Sequence, residues 1–144
     1  MIAVDTNLLV YCHRVEAPKH REAKRVLADL CGGHASWAIP WPCLSEYFSV
    51  VTHRSVWKDQ ASSATQAFAQ MRAWLASPSN RLISELDETF DVLADLAVAQ
   101  DLRGGAIHDA RIAAICISHD VDTLLTADRD FSRFAALRTV NPLV

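Results

Sequence analysis

Asp5, Asp109 and Asp128 are the residues of this chain whose placement proposes chemistry. Asp5 ends the apolar run Met1-Ile2-Ala3-Val4, and Asp128 follows the apolar run Asp122-Thr123-Leu124-Leu125-Thr126. If both runs are strands of one parallel sheet, both carboxylates sit at its carboxyl edge, where open α/β sheets bind ligands. Each has a plainer reading. Asp5-Thr6-Asn7 offers good caps for a following helix, and Asp128 sits in a turn-like Thr-Ala-Asp-Arg-Asp. Asp109 is harder to dismiss. On a helical wheel it shares a stripe with Ile112, Ala113 and Cys116, above the buried face of a helix that His108-Asp109-Ala110 begins. Asp109 could simply cap that helix with its neighbour His108, but stabilisation by a helix end does not explain a place above the core stripe, and a buried charge needs a partner or a metal. Gathering such carboxylates at one edge raises their pKa values by mutual repulsion. A hard divalent cation with oxygen ligands removes the penalty, and the resulting site suits hydrolysis of a phosphodiester.

The elements that must position these acids alternate along the chain. Apolar runs predict strands near residues 1–7, 35–39, 81–84, 122–126 and 137–140. Helical spacing marks the segments between them, including 19–31, an alanine-rich helix from about Gln60 to Leu75, and a helix after Asp87. Residues 54–60 read as a polar linker. The helix from His108 is apolar nearly all round, the mark of a buried helix. Strands alternating with helices predict an α/β fold with a parallel sheet covered on both faces.

Composition narrows the class. The chain has 144 residues, 51% hydrophobic and 22% charged, which predicts a single globular domain over residues 1–144. A net charge of −3 leaves nucleic-acid binding to local basic patches or metal ions. Cys12, Cys31, Cys43 and Cys116 show no zinc spacing, so small reduced thiols and a cytoplasmic location are expected. No apolar run is long enough to span a membrane.

Glu46 is not selected by pattern. On its helix it falls nearly opposite Leu44, Phe48 and Val51, which predicts exposure to solvent. It matters because of a resemblance. Val4-Asp5-Thr6-Asn7, Glu46 after the second strand, His108-Asp109-Ala110-Arg111-Ile112-Ala113-Ala114 and Thr126-Ala127-Asp128-Arg129-Asp130-Phe131 resemble, in order and spacing, the four acidic motifs of PIN-domain ribonucleases, and among them the VapC toxins of toxin–antitoxin modules. The resemblance covers essentially the whole chain. It implies a three-layer α/β/α fold around a parallel sheet of four to five strands. It implies a Mg²⁺-dependent endoribonuclease, Mn²⁺ serving as substitute, that acts on structured RNA such as tRNA or ribosomal RNA. It also implies a homodimer and a VapB-type antitoxin. Carried over, Asp5, Glu46, Asp109 and Asp128 form the catalytic, metal-binding cluster, with Asn7, Thr126 and Asp130 as supports. Asp130 is an alternative to Asp128 as the fourth acid; Asp128 is preferred for lying two residues after Thr126. Arg14, Arg103, Arg111 and Arg129 are candidate RNA contacts, with Lys19 and Arg21 also near the first motif. The four tryptophans read as core or dimer-interface residues.

Two other functions fit parts of the pattern. One is a phosphatase or phosphotransfer enzyme with Asp5 as the nucleophile; haloacid-dehalogenase-like enzymes want Asp-x-Asp there, and this chain has Asp5-Thr6-Asn7. The other is a non-catalytic RNA-binding module of the same fold, which has no reason to keep four clustered acids.

Overall fold

The computed structural model describes residues Met1–Val144. Five parallel strands form one sheet: β1 (Ile2–Val4), β2 (Trp37–Pro40), β3 (Asn80–Ile83), β4 (Thr123–Leu125) and β5 (Arg138–Val140), in the order β3-β2-β1-β4-β5. β1 is central, with Ala3 beside Ala38 of β2 on one flank and Leu124 of β4 on the other. The strand order reverses direction at β1, so the crevice beyond its carboxyl end is the topological switch point of the sheet.

Seven helices complete the fold: α1 (Thr6–His13), α2 (His20–Gly32), α3 (Trp41–Val51), α4 (Arg54–Trp57), α5 (Ala64–Leu75), α6 (Thr89–Ala99) and α7 (Ala106–Ser118). α1 packs on α2 and α3, and α3 on α5, while α6 and α7 pack on one another. Right-handed crossovers put these two groups on opposite faces of the sheet, giving three layers. Trp37, Ile39, Tyr47, Ile112, Ile115, Phe131 and Phe134 are almost wholly excluded from solvent in the core. α7 buries Ala110 and every residue from Ile112 to Cys116, as its all-round apolar sequence predicts.

Several boundaries differ from the sequence reading. The segment read as a linker holds α4 and a 3₁₀ turn at Lys58–Gln60. α5 starts only at Ala64 because Ser63 closes a capping box: its hydroxyl accepts from Gln66 N–H while the Gln66 side chain accepts from Ser63 N–H. α7 begins at Ala106, two residues before His108, so Asp109 lies inside the first turn and is not the cap. All four cysteines are free thiols, Cys43 and Cys116 fully buried. No helix is long and apolar enough to cross a membrane.

Candidate active site

Asp5 is delivered by the central strand and is only 4% exposed. It occupies the position before α1, yet its side chain makes no capping hydrogen bond. Its carboxylate is held from the opposite side instead. Oδ2 accepts from Thr126 Oγ1 at 2.7 Å and from Asn7 Nδ2 at 3.2 Å, and Oδ1 accepts from Cys43 Sγ at 3.7 Å. Asn7 ties the arrangement to the next loop. Its amide also donates to Thr126 Oγ1, and its carbonyl accepts from Ala127 N–H at 3.1 Å. Burial pushes the Asp5 carboxyl up to about 6, against the opposing pull of the Thr126 hydrogen bond. A backbone bond from Asp5 N–H to Leu125 carbonyl keeps β1 and β4 level, so Asp5 and Thr126 emerge side by side.

Glu46 departs from its expected exposure. It is half-buried, and its Oε2 accepts from Thr6 Oγ1 at 2.7 Å. The flank of α3 opposite the core stripe faces the mouth of the crevice rather than bulk solvent. A wheel separates core from non-core; it does not separate groove from solvent.

Asp109 projects from the first turn of α7 and is half-buried. Its carboxylate has no hydrogen bond and no ion pair, whereas four ion pairs form elsewhere. Burial raises its pKa, and Asp128, Glu46 and Asp130 raise it further, while Arg133 draws it back. Asp128 does two things. Its Oδ1 accepts from Asp130 N–H at 2.8 Å and so caps a 3₁₀ turn, Arg129–Arg133, in the stretch that the sequence reads as turn-like. Its own N–H is fixed by Thr126 Oγ1 at 3.0 Å.

Asp5, Glu46, Asp109 and Asp128 thus line one groove of about 280 Å³, together with Thr6, Asn7, Tyr11 and Val50. Asp109, Asp128 and Asp130 each offer an oxygen within 4.8 Å of the others, Asp130 from an exposed position outside the groove lining. A set of carboxylate oxygens with no histidine or cysteine among them fits a hard divalent cation. A larger depression of about 600 Å³, lined by Arg54, Lys58, Asp59 and Gln66 among others, mixes both charges and holds a single acid. Thr6 and Cys43 touch the acids and were not singled out by the sequence; only the fold shows what their short side chains reach.

The sequence profile of the PIN domain matches residues 2–137. The chain belongs to the PIN domain family. Ribonuclease VapC43 of Mycobacterium tuberculosis is 32% identical over 143 residues, covering 99% of this chain and 96% of that protein, which places the chain among the VapC ribonucleases. Among solved structures, Mycobacterium tuberculosis VapC20, described as a sarcin–ricin loop cleaving toxin, has a TM-score of 0.68 at 20% identity over 92% of this chain and 93% of that one. VapBC2 of Rickettsia felis, bound to promoter DNA, has a TM-score of 0.69 at 22% identity over 98% of both chains.

In this PIN domain the candidate RNA-contacting arginines divide. Arg14 is a correction. It is buried, with its guanidinium 4.3 Å from the centre of the Trp57 ring, bonded to Ser62 Oγ and paired with Glu16. Ser62 lies 48 residues downstream, and only the fold shows that it claims this side chain. Arg103 pairs with Asp101 and Arg111 with Glu85. Arg129 is exposed, and its guanidinium makes neither a hydrogen bond nor an ion pair. The acyl-phosphate alternative fares badly for a similar reason. Asp5 is nearly inaccessible and both of its oxygens already accept hydrogen bonds, so it is poorly placed to attack phosphorus.

Proposed function

We propose that this VapC-type ribonuclease hydrolyses phosphodiester bonds within structured RNA, tRNA or ribosomal RNA, with Mg²⁺ bound by Asp5, Glu46, Asp109 and Asp128 and Mn²⁺ able to substitute. The observation that carries the reading is that four separate elements deliver these four carboxylates to one groove, with Asp109 left unpaired. Bound there, the cation supplies Lewis acidity to the attacking water and the attacked phosphate. Asp5 is fixed in direction by Thr126, Asn7 and Cys43, so it needs no reorganisation when substrate arrives. Glu46, anchored through one oxygen by Thr6, keeps the other free to take a proton from water. Purified protein is expected to cut tRNA or ribosomal RNA in Mg²⁺ and to stop completely in EDTA. Undiminished cleavage in EDTA would refute the metal-dependent mechanism.

The activity fits a toxin held in check in the cytoplasm by a VapB-type antitoxin. Solved complexes of similar fold, among them VapBC2 of Rickettsia felis and a toxin–antitoxin complex from Klebsiella pneumoniae, support that partner. A homodimer is supported by an apolar face on α3 and α5. Trp41 and Phe68 are about half exposed there, and Phe68 packs on Phe48 with ring centres 5.7 Å apart. Phe68→Asp is expected to shift the purified protein from dimer to monomer by light scattering, with its fold retained by circular dichroism. An unchanged mass would place the dimer contact elsewhere.

A further inference from the structure

We infer that the pocket between the 3₁₀ turn and the end of β5 is a nucleotide subsite, holding the RNA residue next to the scissile phosphate. This rests on the reading of the acidic groove as the RNA-cleaving site. The pocket, about 450 Å³, presents Arg129, Ser132, Thr139 and Asn141 as polar groups, with Ala127 and Val144 as its apolar part. Asp128 lines both this pocket and the acidic groove, so the two are separated by a single residue. A strand whose phosphodiester lies against the acids has its neighbouring nucleotide on the far side of Asp128.

The chemistry of the pocket is that of a donor set facing an anion. Arg129 holds a planar fork of N–H donors matched to phosphate oxygens, and no carboxylate neutralises it. Asn141 uses its carbonyl to accept from Leu143 N–H at 3.0 Å, which leaves its amide N–H groups for a ligand. Ser132 donates to the Arg129 carbonyl at 2.8 Å and keeps its lone pairs, so it can accept from a ribose 2′-hydroxyl. Thr139 contributes a hydroxyl with no partner of its own. Thr126, by contrast, is spent: it donates to Asp5 and accepts from Asp128 N–H and Asn7. Free phosphate is a poor occupant, because Asp128 stands beside it. A phosphate already tethered to an RNA strand in the groove suffers the same repulsion with the rest of the strand holding it in place. The subsite therefore selects polymer over free anion.

The test is cleavage of an RNA pool with randomised nucleotides, in Mg²⁺, with sequencing of the product ends. Wild-type protein is expected to favour particular bases at one position beside the cut. Asn141→Asp, which keeps the acceptor for Leu143 N–H and loses the free amide donors that can read a base edge, should weaken that preference, whereas contacts to phosphate and sugar carry no sequence information. Arg129→Gln should raise KM about tenfold, the worth of a charged hydrogen bond, with kcat and the Mg²⁺ concentration for half activity little changed. Wild-type cleavage with both variants unchanged in profile and KM overturns the subsite alone. A wild-type protein that cuts no RNA overturns the reading of the groove and the subsite with it. Equal inhibition of wild type and Arg129→Gln by inorganic phosphate is expected; phosphate inhibition confined to wild type would make the pocket a free-anion site and overturn the polymer argument.

Discussion

Asp5→Asn is expected to abolish RNA cleavage and, in EDTA, to raise the melting temperature of the protein. The two effects share one cause. Asp5 is a nearly inaccessible carboxylate beside Glu46, and burial lifts its pKa from 3.8 to about 6. Without a cation, keeping it ionised in the fold is unfavourable. Asparagine removes the charge but keeps the shape. Its carbonyl can take the place of Oδ2, accepting from Thr126 and Asn7, while its amide faces the Cys43 sulfur. On the proposed site, removing the Asp5 carboxylate from the cation is expected to cost several kcal/mol of transition-state stabilisation, about a thousandfold or more in rate.

The stability effect has a definite pH window. Between 3.8 and about 6 the folded protein retains a proton on Asp5 that the unfolded chain has released. Stability therefore falls as pH rises through that window, and the loss is complete above about 6. A rise of this size corresponds to ~3 kcal/mol, or roughly 5–10 °C in Tm for a domain of this length. Thermal denaturation in EDTA should show Asp5→Asn melting above wild type at about pH 8, and the gap closing towards about pH 4. Mg²⁺ should then raise wild type and leave the variant nearly unmoved, since binding to the folded state alone stabilises it. Equal melting temperatures in EDTA at the higher pH would show that Asp5 is not the strained charge its burial implies.

The sequence makes the position of Asp5 legible because a short apolar strand ending in a carboxylate is a local pattern. What holds Asp5 is not legible, because Thr126 and Cys43 arrive from 121 and 38 residues away. The five strands and the buried α7 could be read from apolar runs and periodicity, and they form as expected. Glu46 was misplaced by the same periodicity, which has no term for a groove. Arg14 looked like a cation available to RNA, since its neighbours in sequence say nothing of Ser62 or Trp57 folding over it. The Asp128–Asp130 ambiguity has a physical origin too. Asp128 caps the 3₁₀ turn that holds Asp130, and a spacing of two residues does not show which carboxylate turns inward.

Asp128 lines the groove and Asp130 does not, although both have an oxygen within 4.8 Å of Asp109, and we propose on that ground a ranking of Asp109→Asn, Asp128→Asn and Asp130→Asn. Asp109 has no partner to satisfy it in the protein, so its charge is useful only to a ligand. Replacing it is expected to lower kcat about a thousandfold, the scale of a lost cation contact. Asp128 spends one oxygen capping the Arg129–Arg133 turn and turns towards the groove. In Asp128→Asn the carbonyl still accepts from Asp130 N–H, so the turn stays folded and a loss of similar size reports chemistry rather than structure. Asp130 is exposed and contributes its backbone N–H to that cap, which asparagine keeps. Its carboxylate acts on the cluster from outside the groove, so Asp130→Asn should cost about tenfold, in the range of an outer-shell partner. Mg²⁺ titrations of cleavage distinguish the roles, the Mg²⁺ requirement rising steeply for Asp128→Asn and slightly for Asp130→Asn. The reverse order, with Asp130→Asn inactive and Asp128→Asn near wild type, would make Asp130 the fourth acid and reduce Asp128 to the residue that shapes the turn.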